Sequence, residues 1–221
     1  MSEQAQKSSS AIWVGLGLTL ALLLAVIAYG VLLPRSTGKA PATALPVYGQ
    51  VGDFTLTNQN GTAVTLADLR GRVWIADIIF TRCAGPCPRM SVQMQDLQKA
   101  LPSSSQVRLV SLTTDPDFDT PDILKTYAAS YEADPARWMF LTGTKQQIAN
   151  LAIDSLKLTA VETKPEERTN PEDLFVHSTI FVVVDKLGRL RGIFETDGED
   201  INPEEVRGRI LAAARQLERE P

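Results

Sequence analysis

The sequence is poor in the side chains that hold soft metals or carry thiol chemistry. Its 221 residues include one histidine and two cysteines. Any chemistry resting on sulfur or imidazole must therefore run through Cys83, Cys87 and His177. Three such donors fall short of the four that close a structural zinc site. No basic stripe or basic arm appears and the formal net charge is −4, which argues against a nucleic-acid partner. Internal repeats and long low-complexity tracts are absent too. Charge is missing altogether from residues 11–33.

That uncharged run begins Ala11-Ile12-Trp13 and ends Val31-Leu32-Leu33. As a helix it would measure about 35 Å, enough for a bilayer core of about 30 Å. Trp13 and Tyr29 stand near its ends, where interfacial aromatics collect. The run is longer than the core of a cleaved signal peptide, and no clear small-x-small site follows it. The expected organisation is an N-terminal tail over 1–10, a single transmembrane helix over 11–33, a linker over 34–46 and one domain over 47–221. Pro34, Gly38, Pro41, Pro46 and Gly49 give the stretch after the anchor the character of a tether. Lys7 lies on one side of the run and Arg35 and Lys39 on the other, so positive charge does not set the orientation.

Within the domain, Phe54–Thr57 and Thr62–Leu66 flank Asn60-Gly61, a hairpin signal. Val73–Phe80 is a continuous apolar run that suits a strand buried on both faces. A helix begins near Pro88, with Met90, Met94, Leu97 and Leu101 on its apolar stripe. The helical spacing assigns both methionines to the core rather than to a metal. Val107–Leu112 and Trp138–Leu141 read as further strands. Thr120-Pro121 starts a helix that carries Ile123, Leu124, Tyr127 and Tyr131. Residues 145–152 form a short helix, and residues 155–176 a long irregular loop. Ile180–Val184 and Leu190–Phe194 make a second hairpin, followed by a helix over 203–217. Strands alternating with helices imply an α/β domain with a parallel core sheet covered on both faces. With its N-terminal β-hairpin and closing antiparallel strands, the pattern is that of a thioredoxin-like fold.

The two cysteines lie in Thr81-Arg82-Cys83-Ala84-Gly85-Pro86-Cys87-Pro88, at a strand-to-helix junction. A helix tip favours thiolate, and Arg82 and Arg89 add positive charge, so both thiols are expected to be reactive. Asp115, Asp117 and Asp119 read as turn and capping residues. Two thiols so close can form a redox disulfide. A purely structural bridge is less apt, because closing so short a loop stabilises little. If His177 reaches them, two sulfurs and an imidazole suit Cu(I), or Cu(II) with an added ligand.

Phe80–Pro88 resembles the CxxxCP copper motif of the Sco/SenC family. Asp115-Pro116 with Asp119-Thr120-Pro121, Trp138–Gly143, His177-Ser178-Thr179 and Asp185–Arg189 resemble further family segments in the same order, over about residues 47–217. The resemblance implies a thioredoxin-like domain outside the cytoplasm, on the periplasmic side of a bacterial inner membrane. It implies copper held by Cys83, Cys87 and His177. It also implies a metallochaperone that receives copper from a donor protein and serves assembly of the CuA site in cytochrome c oxidase subunit II. Two positions depart from the common family pattern. Ala84 replaces a proline, and Val176 replaces an acid that could orient the imidazole. The alternative is a thiol–disulfide oxidoreductase or redox sensor using Cys83 and Cys87. Cys-Ala-Gly-Pro-Cys resembles thioredoxin's Cys-Gly-Pro-Cys with one residue inserted. However, His177-Ser178-Thr179 lacks the cis-proline that thioredoxins place opposite their cysteines.

Overall fold

The computed structural model describes residues 20–26, 29, 44–164, 166 and 175–221, with 160–162 and 175–177 by backbone alone. The expected tail over 1–10 lies outside them, as does most of the expected anchor. Residues 20–26 are helical and exposed. No helix among the described residues is long and apolar enough to cross a membrane.

Continuous apolar runs become central strands and punctuated ones become edges. β1 (Gly49–Gln50), β2 (Thr55–Asn58), β3 (Ala63–Thr65), β4 (Trp74–Ile79), β5 (Arg108–Thr113), β6 (Trp138–Thr142), β9 (Ile180–Val184) and β10 (Arg189–Glu195) form one sheet. Its order is β1-β10-β9-β4-β5-β6-β2-β3. β4, β5 and β6 run parallel, and β9 joins β4 antiparallel, pairing Trp74 with Val184. Every residue of β4 is buried, as its unbroken apolar character requires. The first hairpin turns at Gly61, whose φ of 74° a side chain would disfavour.

Alternation along the strands splits the core into two layers. Trp74, Ala76 and Ile78 face one side, under α1 (Leu66–Leu69), α4 (Lys145–Ala149) and the π-helical turn Asn150–Ser155. Ile75, Leu109 and Phe140 face the other. There α2 (Cys87–Ala100), α3 (Pro121–Ser130) and α5 (Pro203–Arg219) supply Met90, Met94, Leu124, Ile210 and Leu217. This is the expected two-sided α/β sheet, and both methionines are core. Thr120 caps α3 by accepting from the Ile123 N–H at 3.4 Å, with Pro121 in the first turn.

The structure differs from expectation in the stretch 155–176. Its flanks are not irregular. β7 (Ala160–Glu162) and β8 (Phe175–His177) pair antiparallel as a second, two-stranded sheet, with Ala160 opposite His177. Backbone pairing satisfies peptide groups that a free loop would leave to water. His177 thus ends a strand rather than closing a loop.

At its other end the domain is closed by charge. Arg191 is 4 % exposed. Its guanidinium donates to Asp185 at 2.7 Å, to Glu220 at 2.9 Å and to the Leu45 carbonyl at 2.8 Å. One side chain thereby ties the first residues of the domain to its last ones.

Candidate metal centre

β4 delivers the chain to Phe80, and the cysteine loop follows. Pro86 takes the N-cap position of α2 with helical backbone angles, Cys87 begins the helix, and Pro88 lies in its first turn, where the missing N–H costs nothing. Cys83 and Cys87 are not joined by a disulfide. Both pack with Ile79 and Phe80, and their side chains lie within hydrogen-bonding reach of each other.

The two sulfurs are unequal. Cys87 is fully buried, and its Sγ accepts the Phe80 N–H at 3.4 Å. Cys83 is half-buried at the loop surface. Burial pushes the Cys87 thiol far above its ordinary value, and the hydrogen bond to Cys83 adds to this. The Phe80 N–H pulls the other way, while negative charge on Asp77, fully buried on β4, reinforces the rise. This corrects the expectation that the helix tip and two arginines would favour thiolate at Cys87. Desolvation outweighs the dipole. Both arginines are also committed elsewhere: Arg89 pairs with Asp197 at 2.6 Å and Arg82 with Asp115.

Arg82 also stacks over Phe118, its guanidinium carbon 4.0 Å from the ring centre. Asp119 is fully buried and accepts from Thr81 twice, through the backbone N–H at 3.1 Å and the hydroxyl, and from the Thr113 hydroxyl. Thr113 in turn accepts the Asp115 N–H at 3.0 Å. Thr81, Asp119, Thr113, Asp115 and Arg82 therefore form a closed ring. It fastens the two residues before Cys83 to the loop after β5. Sequence reasoning assigned these aspartates to turns and caps and missed the ring. The available signal was acids at 115 and 119 beside Thr-Pro, which also had to explain a cap that Thr120 supplies. Burial raises Asp119 above the ordinary carboxylate value of 3.8 despite the Thr113 and Thr81 bonds, with Asp115 adding to the rise.

Beneath the loop, Tyr127 packs against the cysteine cluster and hydrogen-bonds Ser91 on α2 at 2.9 Å. Ser178 donates its N–H to Thr159 at 2.8 Å just past β8, and β9 then enters the sheet antiparallel to β4. The backbone from His177 thus reaches the sheet at the end where the cysteine loop leaves it. The imidazole itself lies outside the described residues. Among the described residues, no three cysteine, histidine or acidic side chains gather as a metal-ligand set. What the described residues contribute is the soft dithiol.

Comparison with known proteins agrees with this arrangement. The SCO1/SenC family model matches residues 45–214. A SCO1 protein homolog from Bacillus subtilis is 40 % identical over 162 residues, covering 71 % of this chain and 81 % of the relative. The solved structure of BsSco superposes with a TM-score of 0.66 at 33 % identity, over 80 % of this chain and 99 % of that one. BsSco is described as carrying a disulfide switch and as a member of the Sco family of cytochrome c oxidase assembly proteins. Bradyrhizobium japonicum ScoI, solved with copper bound, superposes with a TM-score of 0.60 at 26 % identity, over 74 % of this chain and 99 % of that one. The likeness spans the whole thioredoxin-like domain, from the residues Arg191 grips to the final helix, and the chain belongs to the SCO1/SenC family.

Proposed function

We propose that the chain is a membrane-anchored copper metallochaperone that serves assembly of the CuA centre in cytochrome c oxidase subunit II. A single helix over 11–33 holds it in a bacterial inner membrane with the domain in the periplasm, and a donor protein supplies the metal. Cys83, Cys87 and His177 hold the copper. The observation that carries this reading is the unbridged thiol pair, one sulfur at the surface and one buried behind it. A soft dithiol with an outward sulfur suits a cargo that must be exchanged with a partner. Membership of a family whose relatives include a copper-bound protein and an oxidase assembly protein supports the same conclusion.

The chain's residues supply the ligands and move protons. Cys83 meets the incoming ion or partner first, and Cys87 completes the pair from behind. Both thiols lose their protons on binding, and the Phe80 N–H steadies the Cys87 sulfur. Since burial raises the Cys87 thiol, protons compete strongly, and affinity rises with pH and weakens toward acid.

Copper titration of the reduced, detergent-solubilised chain tests the reading. One equivalent binds, and Cys83→Ala, Cys87→Ala and His177→Ala each weaken it by more than about 100-fold, beyond the loss of an outer-shell partner. A reporter enzyme fused after residue 40 that works only in the cytoplasm would overturn the topology. The unequal sulfurs also favour a second reading, thiol–disulfide exchange with Cys83 attacking and Cys87 resolving. Unchanged copper binding in His177→Ala, with disulfide reductase activity retained, decides for it.

A further inference from the structure

The copper reading makes no use of the ring at the base of the cysteine loop. Its centre, Asp119, is fully buried, as is Thr113, and it is the member that grips Thr81 through both backbone and hydroxyl. Thr81 is two residues before Cys83, and the Cys83 N–H returns to the Phe80 carbonyl at 3.2 Å. Few bonds therefore separate the Asp119 carboxylate from the outward sulfur. The inner sulfur is fixed by the start of α2 and the Phe80 N–H. The distance between the sulfurs is thus set on one side by the helix and on the other by the ring.

We propose that Asp119 is a positioning residue for the Cys83–Cys87 couple, holding the outer sulfur against the inner one so that the pair interconverts readily between dithiol and disulfide. This rests on the reading that the two thiols act as a pair. The reaction is exchange with glutathione disulfide. Cys83 and Cys87 lose two protons and two electrons, a sulfur–sulfur bond forms between them, and glutathione disulfide leaves as two thiols. Closing the bond costs loop entropy, and a tethered Cys83 has paid part of that cost in advance.

The test is the equilibrium of the full chain with a glutathione redox buffer, read by thiol trapping. Asp119→Ala frees Thr81 and shifts the equilibrium about tenfold toward the dithiol, about 30 mV for a two-electron couple. Asp119→Asn keeps an acceptor for the Thr81 N–H and Thr113, and its amide can donate to the Thr81 hydroxyl. It stays within about twofold of the parent because hydrogen-bond geometry, not charge, does the positioning. Should Asp119→Ala fail to fold, Thr81→Val removes one hydroxyl at constant shape and shifts the equilibrium the same way by about threefold. The proposal is overturned if the Ala or Val variant keeps the parent equilibrium while only its melting temperature falls. It is overturned equally if the Asn variant shifts as far as the Ala variant. A parent chain that forms no disulfide in the buffer sinks the two-thiol reading itself, and the proposal with it.

Discussion

Two buried aspartates, at opposite ends of one sheet, have opposite electrostatics. Asp185 is 3 % exposed and Asp119 fully buried, so burial raises the pKa of both. Asp185 has two arginines and two backbone N–H groups to accept from, including Arg189 Nε and Arg191 Nη1 at 2.7 Å each, and these bonds win, holding it below 3.8. Asp119 has hydroxyls and an N–H and, among the described residues, no cation, and burial wins. The chain places compensated charge where it closes its own ends. Beside the thiols, Asp119 has polar partners and, among the described residues, no countercharge of its own.

Substitutions can break the contrast. The largest expected effect is at the charged end. Arg191→Ala leaves Asp185 and Glu220 without their shared partner and costs about 3–5 kcal/mol, read by chemical denaturation, with copper stoichiometry unchanged in the folded fraction. At the thiol end the contrast concerns reactivity. Iodoacetamide modifies Cys83 faster than Cys87 by at least about tenfold, because one sulfur is accessible and the other is a buried, protonated thiol. Equal rates would remove the assigned roles of outer and inner sulfur.

The smallest effect is the pH dependence, and its sign differs between the ends. Asp185 is lowered, so its contribution to stability is present above the ordinary carboxylate range and lost as pH falls through its folded value. Asp119 is raised, so its contribution is present below 3.8 and lost as pH rises through its higher folded value. Carboxyl carbon NMR titration should place the two on opposite sides of 3.8. Asp185→Asn should blunt acid unfolding, whereas Asp119→Asn should not.

Local chemistry was legible in the sequence, and long-range pairing was not. Gly61, the Thr120 cap, the buried strand ending at Ile79 and the apolar stripe of α2 all announce themselves within a few residues. The two-residue β1 exists only because β10 offers an edge, and β7 and β8 meet across a polar stretch that carries no period. The hairpin was foreseen, but its docking beside β6 was not, since that depends on Asn58 finding Leu141. The site divides in the same way. The cysteine loop is contiguous and was read directly. The true partners of Arg82 and Arg89, which are Asp115 and Asp197, lie far away in the chain, so their charge was wrongly credited to the thiols.

The grip of Arg191 on the Leu45 and Pro46 carbonyls decides where mechanical load goes. A pull applied at Leu45 or Pro46 passes first to Arg191 on β10 and to Glu220 just past α5. β10 lies there level with the end of β4 far from the cysteine loop, since Leu190 pairs with Val184 and Val184 with Trp74. A pull there therefore strains the molecule's hem before it reaches the cysteine loop.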